Sequence, residues 1–391
     1  MNYDFDAIIE RRGTGCEKWD DLAAVFGTDD VLPFWVADMD FAAAPGILAA
    51  VRAKAAHPVY GYHVKEESFF AAAMDWERRR HGWEVGRSWL VNTPGVVSSL
   101  GAAVLALTDP GDKIVIQPPV YPPFFSCVTR NGRQVVENPL RQRGGRWEMD
   151  LDDLESKLGP DVKMLVLCSP HNPVGRVWTR DELLALGEIC LRHDITVVAD
   201  EIHCDLVFSG HRHVPFATLG PELAARTVTF FSPSKTFNIA GTYTSLAVVP
   251  DPGRRAKYGA LLAGLGMTSG NLFGLAAAEA AFKTGEDWLD TLLPYLEDNA
   301  DLLAAFVGRE MPGIKVAKPE GTYLAWLDFR GRFADHAALN EFLVGAAKVG
   351  LNDGLSFGHQ GKGFARFNFA CPRALMLEGL SRIAAALKMR G

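Results

Sequence analysis

The chain has 391 residues, 48% of them hydrophobic and 22% charged, which suits a soluble globular protein long enough for two domains. Its net charge of −7 and the lack of a long Lys/Arg run argue against a nucleic-acid face. No apolar run nears the roughly 18 residues of a membrane span, and the acidic opening Met1–Asp6 lacks an apolar signal core, so a cytoplasmic protein is expected.

Residues 1–45 carry little helical signal but include Leu32-Pro-Phe-Trp-Val-Ala-Asp-Met-Asp-Phe41, an extended apolar segment expected to cross a cleft or cover a core. Pro45 opens a helix predicted to reach about Ala56, with proline in the first turn. Val59-Tyr-Gly-Tyr-His63 reads as a loop with two tyrosines, and a helix from about Lys65 to His81 ends at Gly82. The basic cluster Arg78-Arg-Arg80 falls on that helix as a solvated face.

From Trp89 onward strand and helix patterns alternate. Strand-like runs are Lys113–Gln117, Gln134–Glu137, Met164–Cys168, Ile195–Ala199, Thr227–Phe230 and Ser245–Val249. Several are apolar throughout, as in a sheet covered on both faces. Thr179 caps a helix over Arg180–His193, whereas 249–258 reads as a polar loop. The pattern is α/β with a largely parallel sheet, where ligands bind beyond the carboxyl ends of the strands. After Asn271 a small-residue helix, Gly274–Phe282, leads into an amphipathic one from Trp288 to about Arg309. The last stretch, Ile314–Arg390, reads β, helix, β, helix and forms a second, smaller domain.

Four places at the strand ends carry chemistry: Pro118–Tyr121, Ser169–Gly175, Asp200–His203 and Ser232–Lys235. Lys235 follows an apolar strand in Ser232-Pro-Ser-Lys-Thr-Phe-Asn238. Burial lowers a lysine's pKa, and the neutral amine is what a Schiff base with an aldehyde requires. The Ser232 and Ser234 hydroxyls suit a phosphate beside it. These are needs of pyridoxal 5'-phosphate (PLP), with an acidic partner for its ring nitrogen. A surface lysine in a polar loop is the plain alternative, so the remaining contacts matter.

Asp200 ends its strand and, desolvated there, needs a cation such as a pyridinium nitrogen; a turn aspartate is the alternative. Asn172 in Ser169-Pro-His-Asn-Pro-Val-Gly175 offers its amide to a phenolate oxygen, although N-P-x-G alone marks a turn. Gly95, Val96 and Val97 open a helix whose N–H groups and dipole suit an anion. Tyr121, held among prolines, suits stacking on a planar ring or a place in the core. Arg366, a lone charge in the apolar run Phe364–Phe369, needs a carboxylate from a substrate or from within the chain. The cysteines at 16, 127, 168, 190, 204 and 371 are scattered and expected to be reduced. No metal is expected, because His203 and His211-Arg-His213 lack further ligands at regular spacing.

These motifs stand in order with Arg11-Arg-Gly-Thr-Gly15, Lys18-Trp-Asp20, Trp35–Asp40, Gln117–Phe125, Cys168–Trp178, Asp200-Glu-Ile-His203, Ser232–Gly241, Gly321–Arg330 and Asn368–Arg373. Over nearly its whole length the chain resembles the PLP-dependent class I/II aminotransferases of fold type I. Within them it resembles the MalY/PatB-type cystathionine β-lyases, or C–S lyases. The resemblance implies a large domain, 46–284, with a mostly parallel seven-stranded sheet between helices. A smaller α+β domain, 285–391, would be joined by the N-terminal segment 1–45.

It further implies that Lys235 is the Schiff-base lysine and that Asp200 pairs with the ring nitrogen. Asn172 and His203 would flank the phenolate oxygen, and Tyr121 would stack on the ring. Ser232, Ser234 and the backbone of Gly95, Val96 and Val97 would hold the phosphate. Tyr60 would reach the phosphate of the neighbouring subunit in a homodimer. Arg366 would grip the substrate carboxylate, with Tyr62 and Trp35 lining the pocket. His203 stands where many aminotransferases have tyrosine, a departure shared with the lyase subgroup. Thr242-Tyr243-Thr244 departs from the more apolar residues expected after Ile239-Ala-Gly241.

The implied reaction is α,β-elimination from L-cystathionine or a related cysteine S-conjugate to a thiol (homocysteine from cystathionine), pyruvate and ammonia. Lys235 would remove the Cα proton, and Lys235 or Tyr121 would protonate the leaving sulfur. An aminotransferase would use the same contacts but require a keto-acid acceptor. A third reading is a regulatory binding protein of the kind that restrains a transcriptional activator in one branch of the family. It needs a surface patch independent of Lys235, and no stretch identifies one.

Overall fold

The computed structural model describes residues 3–390. Seven strands form the main sheet: β1 (Leu90–Thr93), β2 (Lys113–Ile116), β3 (Gln134–Glu137), β4 (Val162–Cys168), β5 (Thr196–Asp200), β6 (Thr227–Phe231) and β7 (Ser245–Val248). Their order is β1-β7-β6-β5-β4-β2-β3. From β6 to β3 every neighbour is parallel, while β7 runs antiparallel to both β1 and β6. The central strands are Val-, Thr- and Phe-rich, and β5 and β6 are buried along their whole length, which explains their unbroken apolar runs.

The helices that position the sheet are α1 (Pro45–Ala56), α2 (Glu67–His81), α3 (Val96–Leu107), α4 (Arg180–Arg192), α5 (Pro252–Gly264), α6 (Leu272–Thr284), α7 (Glu286–Glu310) and α8 (Arg373–Arg390). On one face Leu100 and Val104 of α3 and Tyr258 and Leu262 of α5 share a core with Ile114, Met164 and Val228. On the other, Leu183, Leu186 and Ile189 of α4 meet Leu165 and Val197. Thr179 opens α4 with a full capping box to Glu182, satisfying two first-turn N–H groups.

Two expectations change. Residues 252–264 form a helix rather than a polar loop. Asp251 caps it by accepting the Arg254 N–H at 2.7 Å, Pro252 fits its first turn, and its buried residues are reduced to Tyr258 and Leu262, too sparse to mark an apolar stripe. The sheet also gains β1, whose Asn and Thr hide its strand character. Both polar side chains bond across the ladder, Asn92 Nδ2 to the Ser245 carbonyl at 3.2 Å and the Thr93 hydroxyl to the Ser245 hydroxyl at 2.7 Å.

A second, antiparallel sheet is built from β8 (Lys315–Val316), β9 (Leu324–Asp328), β10 (Asn352–Asp353) and β11 (Phe364–Asn368), in the order β8-β9-β11-β10. Leu296 and Leu303 of α7 and Leu380 and Ile383 of α8 cover it together with Leu324 and Phe367. The N-terminal segment spans the two sheets. Leu32–Pro33 pairs in parallel with Val349–Gly350, and Phe34 stacks on Phe367 at 4.2 Å. Asn368 Nδ2 donates to the carbonyls of Val36 and Asp38, and Asn238 brackets Met39 and Phe41 from the main-sheet side. No described helix is long and apolar enough to cross a membrane, and the six cysteines are free.

Candidate active site

The parallel strands bring β4, β5 and β6 to one edge, so the chain leaves Cys168, Asp200 and Phe231 side by side. Beyond that edge, under the N-terminal segment and against β11, lies a cavity of about 940 Å³. Trp35, Gly95, Val96, Val97, Tyr121, Asn172, Asp200, His203, Ser232, Ser234, Lys235 and Arg366 all line it. Tyr60 and Tyr62 do not: both are exposed, and the Tyr60 hydroxyl donates to its own chain's Ala55 carbonyl at 2.7 Å.

Lys235 sits in the short helical turn Pro233–Thr236, whose entry is set by Ser232 Oγ accepting the Ser234 N–H at 3.1 Å. Its Nζ donates to the Ala37 carbonyl at 2.7 Å, so the N-terminal segment closes over the amine. Burial brings the amine down to about 8, Arg366 adds to the fall, and Asp38 and Asp200 oppose it. Asp200 is buried at the end of β5, with Oδ1 accepting the Ile202 N–H at 3.2 Å. Burial pushes its carboxyl up to about 7, against the pull of that N–H and of Lys235.

His203 is buried and driven down to about 3 by burial, with Lys235 and Arg366 adding to the shift, so its imidazole is neutral. Its Nδ1 has no hydrogen-bond partner among the described residues. A buried polar nitrogen left bare is costly, which marks a place for a ligand atom.

Arg366 on β11 donates from Nη1 to Asn172 Oδ1 at 3.0 Å and from Nη2 to the Trp35 carbonyl at 2.7 Å. Its guanidinium lies 5.0 Å from the Phe357 ring centroid, and Nε is bare among the described residues. No described carboxylate forms an ion pair with it, so the internal partner weighed from the sequence is absent and the charge remains available for a carboxylate entering the cavity. Burial lowers the guanidinium to about 10. Tyr121 is pushed up to about 12 by burial, which keeps its hydroxyl protonated across the physiological range.

At the far end α3 begins with Gly95 at φ +117°, a conformation that side chains resist, and no side chain caps the helix. The Gly95 N–H is held by Ser245 Oγ at 3.0 Å, leaving the first-turn N–H groups of Val96 and Val97 beside the Ser234 hydroxyl, whereas the Ser232 hydroxyl, expected at the phosphate, donates to the Thr244 carbonyl at 2.8 Å. That is an anion cradle. Tyr243 and Thr244 line the same cavity, so the departing Thr242–Thr244 stretch forms part of its wall.

Sequence reasoning assigned no role to Arg11, Cys16, Glu17 or Asn352, which also line the cavity. Arg11 bridges Asp38 and Asp40, both at 2.6 Å, and the fully buried Lys18 meets Asp40 at 2.6 Å. Two aspartates inside an apolar segment needed cations, and that was the readable signal. The ion pairs strap residues 11–18 across the mouth.

Comparison with known proteins gives the same picture along the whole chain. Residues 39–383 match the family model "Aminotransferase class I and II". Cystathionine beta-lyase PatB of Bacillus subtilis is 45% identical over 384 residues, 98% of this chain and 99% of that protein. The crystal structure of cystalysin from Treponema denticola, which contains a pyridoxal 5'-phosphate cofactor, superposes with a TM-score of 0.97 at 36% identity over the full length of both chains. The PLP-bound C-S lyase from Staphylococcus hominis superposes with a TM-score of 0.92 at 34% identity, covering 99% of this chain and 98% of that one.

Proposed function

The chain belongs to the class I and II aminotransferase family, and from that membership we propose that it is a PLP-dependent carbon–sulfur β-lyase cleaving L-cystathionine or a related cysteine S-conjugate to a thiol, pyruvate and ammonia. The observation that carries this reading is one cavity holding a buried lysine amine, a buried carboxylate and an unpaired arginine.

The residues fit pyridoxal 5'-phosphate, because the orphaned Nδ1 of His203 and the uncapped start of α3 each lack what that cofactor supplies. Lys235 would carry its aldehyde carbon and Asp200 its ring nitrogen. Asn172 and His203 would hold its ring oxygen, Tyr121 its face, and Ser234 with the N–H groups of Val96 and Val97 its phosphate, since the Gly95 N–H and the Ser232 hydroxyl already donate to Ser245 and Thr244. When bound, the group supplies an electron sink for charge developing at the substrate Cα.

Arg366 grips the substrate carboxylate and so sets which Cα bond faces Lys235. Lys235, with an amine near 8, accepts the Cα proton close to neutral pH. The leaving sulfur takes its proton from Lys235 or from Tyr121, whose hydroxyl is still protonated. The exposed loop bearing Tyr60 and Tyr62 would meet a second copy of the chain in a homodimer, Tyr60 reaching the phosphate there. The main sheet (46–284) and the second sheet (285–391, joined by 1–45) are taken as the two domains.

Purified protein is expected to absorb in the visible near the wavelength of a lysine-bound cofactor, and to release pyruvate and thiol from L-cystathionine with no keto acid added. Turnover that begins only after a keto acid is supplied would instead make it an aminotransferase. Removing the Arg366 grip has its own signature. Arg366→Leu is expected to raise KM by about 10²-fold or more, in line with the roughly 2–5 kcal/mol lost when one member of a buried charge pair is removed. Steady-state kinetics on L-cystathionine check this, and an unchanged KM would remove Arg366 from the substrate site.

A further inference from the structure

Asp205, five residues beyond Asp200, is buried and does not line the cavity. Its carboxylate nevertheless gathers three side chains from two other parts of the chain. Oδ1 accepts from Trp76 Nε1 at 3.0 Å and meets His81 Nε2 at 2.9 Å, both on α2, while Oδ2 accepts the Thr236 hydroxyl at 2.8 Å. Burial alone would lower the His81 imidazole, but Glu77 and Asp205 overcome it and raise it to about 9, so His81 donates to Asp205 as a cation. Glu77 and Cys204 lie close enough to His81 to suggest a metal, yet the His81 imidazolium, committed through Nε2 to Asp205, has no lone pair to offer one.

Thr236 is the residue after Lys235 and ends the Pro233–Thr236 turn. Trp76, which shares the carboxylate, also packs against Phe237 with ring centroids 5.5 Å apart. A carboxylate in the core costs several kcal/mol of desolvation unless its donors are fully committed. Here those donors come from α2 on one side and from the lysine turn on the other.

We propose that Asp205 is a positioning residue for Lys235, acting through the Thr236 hydroxyl. It fixes the Pro233–Thr236 turn against α2, and with it the line along which the Lys235 amine enters the cavity. The proposal rests on the reading of Lys235 as the base that takes the Cα proton.

The test compares Thr236→Val, which keeps the shape and removes the hydroxyl, with Thr236→Ser, which keeps the hydroxyl, and with Asp205→Asn. The first readout needs no cofactor: titration of the Lys235 amine in the apo-protein by carbon NMR of lysine labelled at Cε, assigned with Lys235→Met. The charged groups facing Lys235 (Asp38, Arg366, Asp200 and Glu17) and Asp205 itself are the same in both Thr236 variants, so a shift in those reports a change of place. In Thr236→Val the titration is expected to move up by about one unit, toward the ordinary lysine value. The second readout is kinetic: kcat falling by about 10- to 100-fold with KM within about twofold, as for a catalytic group displaced by up to an ångström. Thr236→Ser restores both.

A Thr236→Val protein that titrates and turns over like the wild type would overturn the proposal, as would a Thr236→Ser protein as impaired as Thr236→Val. Should the wild type show no lyase activity, the functional reading fails, and the Lys235 titration alone still decides whether Asp205 positions it.

Discussion

Lys235→Ala is expected to lower turnover of L-cystathionine by about 10⁴-fold or more, the upper end for losing a positioned general base, because in the proposed site the same amine would also anchor the cofactor. The amine is confined by its hydrogen bond to the Ala37 carbonyl and brought to about 8 by burial, so close to neutral pH a useful share of it is an uncharged base. No other cavity residue replaces it: His203 is neutral but shifted far below working pH, and Tyr121 keeps its proton. Cofactor is still expected to bind, since Asp200, the cradle at α3 and the Ser234 hydroxyl are untouched, but without the visible band of a lysine-bound species. The fold is expected to hold, because removing a buried amine relieves desolvation in the apo-protein. Absorbance, cofactor affinity and pyruvate release on one sample separate these effects. Wild-type turnover in this variant would remove Lys235 from the mechanism.

The strand-end residues were legible in the sequence because each follows an apolar run that can only be a buried strand. Lys235 after Thr227–Phe231, Asp200 at the end of β5 and Asn172 after β4 converge once those strands are parallel. The long-range pairings were not legible. Arg366 meets Asn172 from 194 residues away, and nothing near either residue announces the other. The strap from Arg11 and Lys18 to Asp38 and Asp40, and the contact of α2 with Asp205, share that reason: periodicity reports which face of an element is buried, not what it meets. Helix α5 escaped for a local reason, only Tyr258 and Leu262 being buried behind a polar opening of Gly, Arg and Lys.

Asp200→Asn is expected to cost turnover roughly 10²- to 10⁴-fold with a smaller change in KM, matching about 3–5 kcal/mol for removing one member of a buried ion pair. In the proposed site Asp200 would hold a proton at the cofactor's ring nitrogen only while it is itself ionised, and the amide could not do so. The carboxyl also leaves a signature in stability. In the apo-protein burial lifts its pKa from the ordinary value of about 3.9 to about 7. The folded state therefore binds the proton more tightly than the unfolded chain. The stability it contributes is complete below about pH 4 and is lost as pH rises through about 7. A cationic ring nitrogen beside it, as proposed, would end that loss by pairing with the ionised form. The rise in melting temperature on adding cofactor should therefore grow between pH 4 and 7 in the wild type and stay nearly flat in Asp200→Asn. Thermal melts with and without cofactor across that window measure it directly, and equal pH slopes in the two proteins would mean that Asp200 does not face the ring nitrogen.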